Sequence, residues 1–299
     1  MKKTSITDKI TYVEPVSMSN FQSCAGMIIS TSHLKILLDT NMGREETPDL
    51  IKAEKPDIAI ATHYHLDHGT WGATALEYSD AEFFAPAGEE KYLTSLDYFI
   101  TNTVGGSKWE KEWQEFAVNV AGYQDVSNIS VYDETETFQQ SEIKMVPIKT
   151  AGHSPSHMSF HFPEEKILFT GDMGLDSFGP WYGWKDCNLK DLLESMIRLK
   201  NLDVDTLLTS HGGMITSNIE ATWDKALNQI FDREQSLREM LDQGVSRDEI
   251  IEKGIFYKYK SKVREPMKSF LYMWDGLVFD HHLELLNQGG IQHFFPGIR

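Results

Sequence analysis

Apolar and polar positions alternate over three short runs near the N-terminus, Ile10–Val16, Gly26–Thr31 and Leu34–Asp39, and each predicts a strand. The polar pair Ser32-His33 joins the last two as a hairpin. Pro48–Lys55 then reads as a short helix. The apolar run 57–62, bounded by Pro56, reads as a buried strand, and Thr70–Tyr78 carries Ala, Leu and Trp at helical intervals. A short strand at Glu82–Ala85 and a helix at Gly88–Leu96 follow. Residues 97–125 hold many aromatics (Tyr98, Phe99, Trp109, Trp113, Phe116, Tyr123), and two readings stand. One is a lid over a site, and the favoured one is an amphipathic helix with its rings in the core.

Strand patterns return at Ile129–Tyr132, Ile143–Lys149, Met158–Phe162 and Lys166–Thr170. Asn188–Leu202 has leucines on one helical face, and Asp205–Ser210 is a further strand. Beyond Asn218 strand signals nearly vanish. Ile219–Leu241 predicts a long helix, and Ser246 to Glu249 has capping-box spacing before a short one. Glu265–Asn287 is helical with a break expected near Gly276, and Gly289-Gly290 stops it. Helices fall between groups of strands rather than after every strand. That predicts an α+β arrangement of sheets packed together with helices outside. The expected division is a main domain over 1–217 and a helical C-terminal domain over 218–299.

Candidate chemistry concentrates in Thr62-His63-Tyr64-His65-Leu66-Asp67-His68-Gly69, between a strand and a helix. His63 and His65 alternate along an extended backbone and project to one side. Asp67 and His68 turn over the helix start. Three later positions repeat the arrangement. His153, Asp172 and His211 each follow a strand and stand beside a glycine that lets the chain turn tightly. If those strands lie side by side, one rim carries His63, His65, Asp67, His68, His153, Asp172 and His211. Imidazoles with carboxylates and no cysteine suit two divalent ions, zinc first, with iron or manganese as alternatives. Asp39 is either a carboxylate orienting a ligand histidine or a turn residue. His157 is read as structural rather than as a substrate contact, and Trp181, Tyr182 and Trp184 as a site wall or as core.

Charge and composition narrow the function classes. The 299 residues carry a formal net charge of -17 and no basic footprint of a nucleic-acid binder. No apolar stretch approaches the ~20 residues of a membrane span, and Met1–Ser5 lacks the apolar run of a signal peptide. Two cysteines, Cys24 and Cys187, fit reduced thiols and a cytoplasmic location. The basic run Lys258, Lys260, Lys262, Arg264 and Lys268 is either a solvated face, the favoured reading, or a handle for an anionic group.

The motif over 62–69 fits H-x-H-x-D-H-G without substitution, and the sequence thereby resembles the metallo-β-lactamase superfamily. Gly152-His153-Ser154-Pro155, Thr170-Gly171-Asp172 and Ser210-His211-Gly212 match its later motifs in order, and Asp39-Thr40-Asn41 is similar to its Asp-Thr-Gly segment. The resemblance spans roughly residues 12–215 and implies an αββα sandwich. It implies that His63, His65 and His153 bind one metal, that Asp67, His68 and His211 bind the other, and that Asp172 bridges. The pattern looks most like glyoxalase II-type hydrolases, and the tail like the winged-helix-like cap of lactamase-beta-2-type proteins. Antibiotic hydrolysis is not expected. The implied activity is metal-dependent hydrolysis of an ester-type bond, above all a thioester of glutathione or coenzyme A type, with Asp67 as proton acceptor. Alternatives are a di-iron protein that binds or reduces oxygen or nitric oxide, and a metal-dependent ribonuclease. Expected partners are a small-molecule substrate and, at most, a second copy of the chain.

Overall fold

The computed structural model describes residues 1–16, 22–136, 138–140 and 142–298. Among these, seven strands form one sheet in sequential order: β1 (Lys2–Ser5), β2 (Ile10–Glu14), β3 (Gly26–Ser30), β4 (Lys35–Leu38), β5 (Ile58–Ile60), β6 (Glu82–Pro86) and β7 (Ile129–Tyr132). The first four pair antiparallel, and β4 through β7 run parallel. Six more form the second sheet: β8 (Phe138–Gln140), β9 (Ile143–Lys149), β10 (Met158–Phe162), β11 (Ile167–Phe169), β12 (Thr206–Leu208) and β13 (Met214–Ile215). Here β11 and β12 are parallel and the other pairs antiparallel.

The two-residue period of the strands sorts side chains between two cores. Met27, Ile29, Ile36, Leu38, Ile60, Phe160, Phe169 and Leu208 meet between the sheets. Their alternating neighbours Ile28, Leu37, Ala59, Leu168 and Leu207 face outward and lie under helices. The result is the four-layer sandwich expected from the sequence. On the outer faces lie α1 (Glu46–Glu54), α2 (Leu66–Gly69), α3 (Trp71–Tyr78), α4 (Glu90–Thr94), α5 (Leu96–Thr103), α6 (Glu110–Asn119) and α7 (Leu189–Lys200). The segment 97–125 is thus helical at α5 and α6. Phe99 and Trp113 are fully buried, which is the core reading rather than the lid.

The C-terminal segment consists of helices among the described residues: α8 (Ile219–Asp242), α9 (Arg247–Lys253), α10 (Met267–Asn287) and α11 (Ile291–Phe294). The capping box at Ser246 and Glu249 forms as read. α10 does not break at Gly276. That residue is buried inside a continuous helix, and the Arg247 guanidinium donates to its carbonyl across to α9. Phe270 and Trp274 of α10 pack edge-to-face against Trp113, and Trp184 joins them, so these helices share one apolar cluster with the sandwich.

Two details escaped the pattern reading. Lys2–Ser5 forms the edge strand β1, where Lys2 pairs with Glu14 at 2.6 Å and charge protects the open edge. The three-residue β8 and two-residue β13 are too short to show a period. No helix is long and apolar enough to cross a membrane among the described residues.

Candidate metal centre

Parallel pairing of β11 with β12, and two antiparallel steps from β9 to β11, point the C-terminal ends of all three strands the same way. Their following loops deliver His153, Asp172 and His211. The other sheet delivers its loop after β5, and the two sheets are tied at this rim. Met158 N–H donates to the Thr62 carbonyl at 3.0 Å, and Ala25 N–H to the Ser210 carbonyl at 2.8 Å.

The rim gathers the candidate side chains into two groups that share Asp172. His63, His65 and His153 form one with it, and Asp67, His68 and His211 the other, with ligand atoms in each group within 4.8 Å of one another. Within them, Asp172 Oδ2 lies 3.5 Å from His153 Nε2 and 3.4 Å from His211 Nε2, and its Oδ1 lies 3.3 Å from His68 Nε2. Asp67 Oδ2 is 3.1 Å from His211 Nε2.

Surrounding groups aim the rings inward. Asp39 Oδ2 accepts from His68 Nδ1–H at 2.9 Å, while its Oδ1 accepts the Thr62 backbone N–H at 2.8 Å. It sits at φ +47°, yet its carboxylate bonds to Thr62 and His68, which is the orienting reading rather than that of a turn residue capping its own backbone. The Thr62 hydroxyl donates to Asp39, and so accepts from His63 Nδ1–H at 2.9 Å. His153 Nδ1–H donates to the Trp181 carbonyl at 2.8 Å. In each case Nε2 is left facing the centre. His157 has the structural role expected. Its Nε2 accepts the Asp172 backbone N–H at 3.1 Å, which places its own proton on Nδ1, toward Thr150 at 2.8 Å.

Glu89 was not singled out by sequence reasoning. It is fully buried, and one oxygen accepts Tyr64 N–H at 2.8 Å, beside His63 and His65. The other accepts Ser156 N–H at 2.7 Å and the Ser154 hydroxyl at 2.5 Å, beside His153. One carboxylate thus fastens two candidate ligand loops together. Burial pushes its carboxyl up to about 7 despite these donors. Only its place after Gly88 at the head of a helix marked it in the sequence.

The donor set fits a cation. His63 Nε2, His65 Nε2, His68 Nε2, His153 Nε2 and Asp172 Oδ1 are buried without a hydrogen bond. Such orphans are rare, because each costs about 1–3 kcal/mol. Burial, then the surrounding imidazoles, pushes His63 well below the ordinary imidazole range; burial, then His153, does the same to His65. Against their burial, His211 is held well above it by Asp172 and Asp67, and His68 by Cys24 and the carboxylates of Asp172, Asp39 and Asp67. Asp172 is held well below the carboxylate range by His211 and His68, which outweigh its burial. The carboxylates that raise these two imidazoles concentrate negative charge at the rim, which divalent cations would neutralise. Cys24 and Cys187 are free thiols bonded to the Asp39 and His153 carbonyls, outside both groups.

A cleft of about 670 Å³ opens on the cluster, with Trp181, Trp184 and the cap residues Tyr257 and Trp274 opposite His65, Asp67, His153, Asp172 and His211. Trp181 is therefore wall, Trp184 is a buried core residue that also borders the cleft, and Tyr182 is fully buried against His282. The basic run stays out of this lining. Lys260 is buried in an ion pair with Asp275 at 2.5 Å, so for that lysine neither the solvated face nor the anion handle applies.

A helix–sheet–sheet–helix sandwich with a histidine–carboxylate cluster on one rim defines a metal-dependent hydrolase fold. The sequence model of the metallo-beta-lactamase superfamily matches residues 22–211, and the chain belongs to that superfamily. The superfamily binds divalent metals and consists mostly of hydrolases, and this chain is one of its metal-dependent hydrolases. A metallo-beta-lactamase fold-containing protein of Sulfurisphaera tokodaii is 25% identical over 79% of this chain and 88% of its own length. The acyl-coenzyme A thioesterase MBLAC2 of Homo sapiens is 22% identical over 50% of this chain and 57% of its own. The crystal structure of a metallo-beta-lactamase family protein from Thermus thermophilus superposes with a TM-score of 0.68 at 17% identity, covering 95% of both chains.

Proposed function

We propose that this chain hydrolyses an ester-type bond, a thioester above all, at a two-metal centre. The carrying observation is the convergence of buried, unbonded ligand atoms from three loops, joined by His211 from a fourth, beside an open cleft. His63, His65 and His153 would hold one ion and Asp67, His68 and His211 the other, with Asp172 shared. Divalent ions there supply Lewis acidity and bring the pKa of water toward ~7.

The chain's own groups do the rest. Asp39, Thr62 and the Trp181 carbonyl keep the rings in the tautomers that face inward. Trp181 and Trp184 shield the reacting carbonyl from bulk water. Asp67, at the cleft wall, accepts at Oδ2 the proton lost by the attacking water. Attack at the carbonyl carbon breaks the carbon–sulfur bond and yields a carboxylic acid and a thiol. The thioester assignment is supported by the human relative's name, and a cleft lined by carboxylates and by no lysine or arginine among the described residues disfavours a polyanionic RNA substrate.

The test joins elemental analysis of the purified protein to turnover on thioesters, lactones and phosphodiesters. About two metal equivalents with thioester hydrolysis, both lost in His63→Ala and Asp172→Ala, is the expected result. Full activity in a metal-free His63→Ala protein would overturn it. So would two irons with an oxygen-sensitive absorption band and no hydrolysis.

A further inference from the structure

We infer that the cleft selects substrates whose acyl group is an uncharged, extended hydrocarbon. This rests on the hydrolase reading above and specifies its substrate. The cleft has two unlike faces. One is the ligand cluster. The other is apolar, made by Trp181 and Trp184 from the sandwich and by Tyr257, Met267, Leu271 and Trp274 from the cap.

Three observations identify the occupant. First, the apolar face adjoins the cluster directly, with the Trp181 ring centroid 5.8 Å from those of His65 and His153. A group bound there is thus joined to the reacting carbonyl, so it is substrate rather than a separate ligand. Second, the Trp181 indole N–H on that face is paired internally, donating to the Tyr257 hydroxyl. Third, no lysine or arginine lines the cleft among the described residues. Its one carboxylate outside the cluster, Asp176, accepts from the backbone of Phe178 and Gly179. An acyl group ending in a carboxylate would meet Asp176 on the cleft wall and no lysine or arginine to offset its desolvation. The volume of about 670 Å³ lies well within the ~300–1,000 Å³ of small-ligand sites, so it admits a chain rather than an acetyl group alone.

The test is a series of coenzyme A thioesters, acetyl, butanoyl, hexanoyl and octanoyl, with adipoyl as the charged match for hexanoyl. kcat/KM is expected to rise about fourfold per methylene, and adipoyl to fall at least tenfold below hexanoyl. Leu271→Trp, at a half-buried position on the cleft wall, should lower the octanoyl-to-acetyl ratio about tenfold or more. A flat series, or adipoyl equal to hexanoyl, overturns the inference and leaves the hydrolase standing. Metal-loaded protein that turns over no thioester and no lactone overturns the ester-hydrolase reading. In that event titration of intrinsic tryptophan fluorescence still decides the cleft. Saturable quenching by octanoate but not by adipate supports the inference, and equal or absent responses overturn it.

Discussion

At the scale of single residues, the centre is held by groups that never face the substrate. Asp39, His157 and Glu89 each fasten a backbone or ring that carries a candidate ligand. Glu89 bonds to both the loop of His63 and His65 and the loop of His153, and glutamine lacks the acceptor pair needed to replace it. Glu89→Gln is therefore expected to weaken metal binding by about 10–100-fold, read by competition with a chelator, while far-ultraviolet circular dichroism stays unchanged. Unaltered affinity would reduce Glu89 to a packing residue. Gly152 shows the same tightness. At φ +124°, an added Cβ would lie 2.1 Å from the Leu192 nitrogen, where α7 starts against the His153 loop. The candidate ligands were legible in sequence because histidine and aspartate beside glycine at strand ends are unusual. Glu89 was not, because its partners Tyr64, Ser154 and Ser156 lie far away in the chain.

At the scale of elements, local signals and tertiary contacts divide the work. The Ser246 capping box was readable because both partners lie within one turn. Ser246→Ala should cost about 1 kcal/mol in urea unfolding. α10 needed the tertiary structure. Gly276 looks like a breaker in isolation, yet the helix runs through it where it packs against α9, with the Arg247 guanidinium bonded to its carbonyl. On the same helix His282 is fully buried, with Nε2 on the Tyr182 hydroxyl at 2.9 Å. Burial, then Arg233 and His281, pushes it down to about 3. The unfolded chain, with His near 6.5, binds this proton more readily, so its contribution to stability is complete above pH 6.5 and is lost as pH falls toward 3. The loss is about 2 kcal/mol at pH 5. His282→Gln keeps a partner for Tyr182 and lacks this loss. Its stability relative to the parent protein, from unfolding at pH 7.5 and pH 5, should therefore improve by about that amount on acidification.

At the scale of the whole molecule, the centre and the fold depend on each other. Carboxylates and unbonded imidazoles from both sheets meet at the rim, so a bound cation stabilises the folded state by mass action. Metal at a thousandfold excess over Kd should add about 4 kcal/mol, and exhaustive chelation should lower the melting temperature measured by calorimetry. The cap is equally integral. Phe270 and Trp274 cover Trp113 and Trp184, and Tyr257, Met267 and Leu271 complete the cleft. A chain ending at residue 217 is expected to aggregate or to melt well below the full chain, because those tryptophans become exposed.

By itself the sequence determined what is periodic or dense: the alternating strands, the leucine face of α7, the long C-terminal helices and the ligand-rich turns. These are local properties, set by backbone geometry and by which residue types suit a turn or a metal. The tertiary structure decided what depends on distance through space. It paired Lys2–Ser5 into an edge strand and buried Lys260 against Asp275. It carried α10 through Gly276, brought Glu89 between two loops, and turned Trp181 and Trp184 toward the rim. None of these is encoded in spacing, because each partner comes from a part of the chain that only packing brings near.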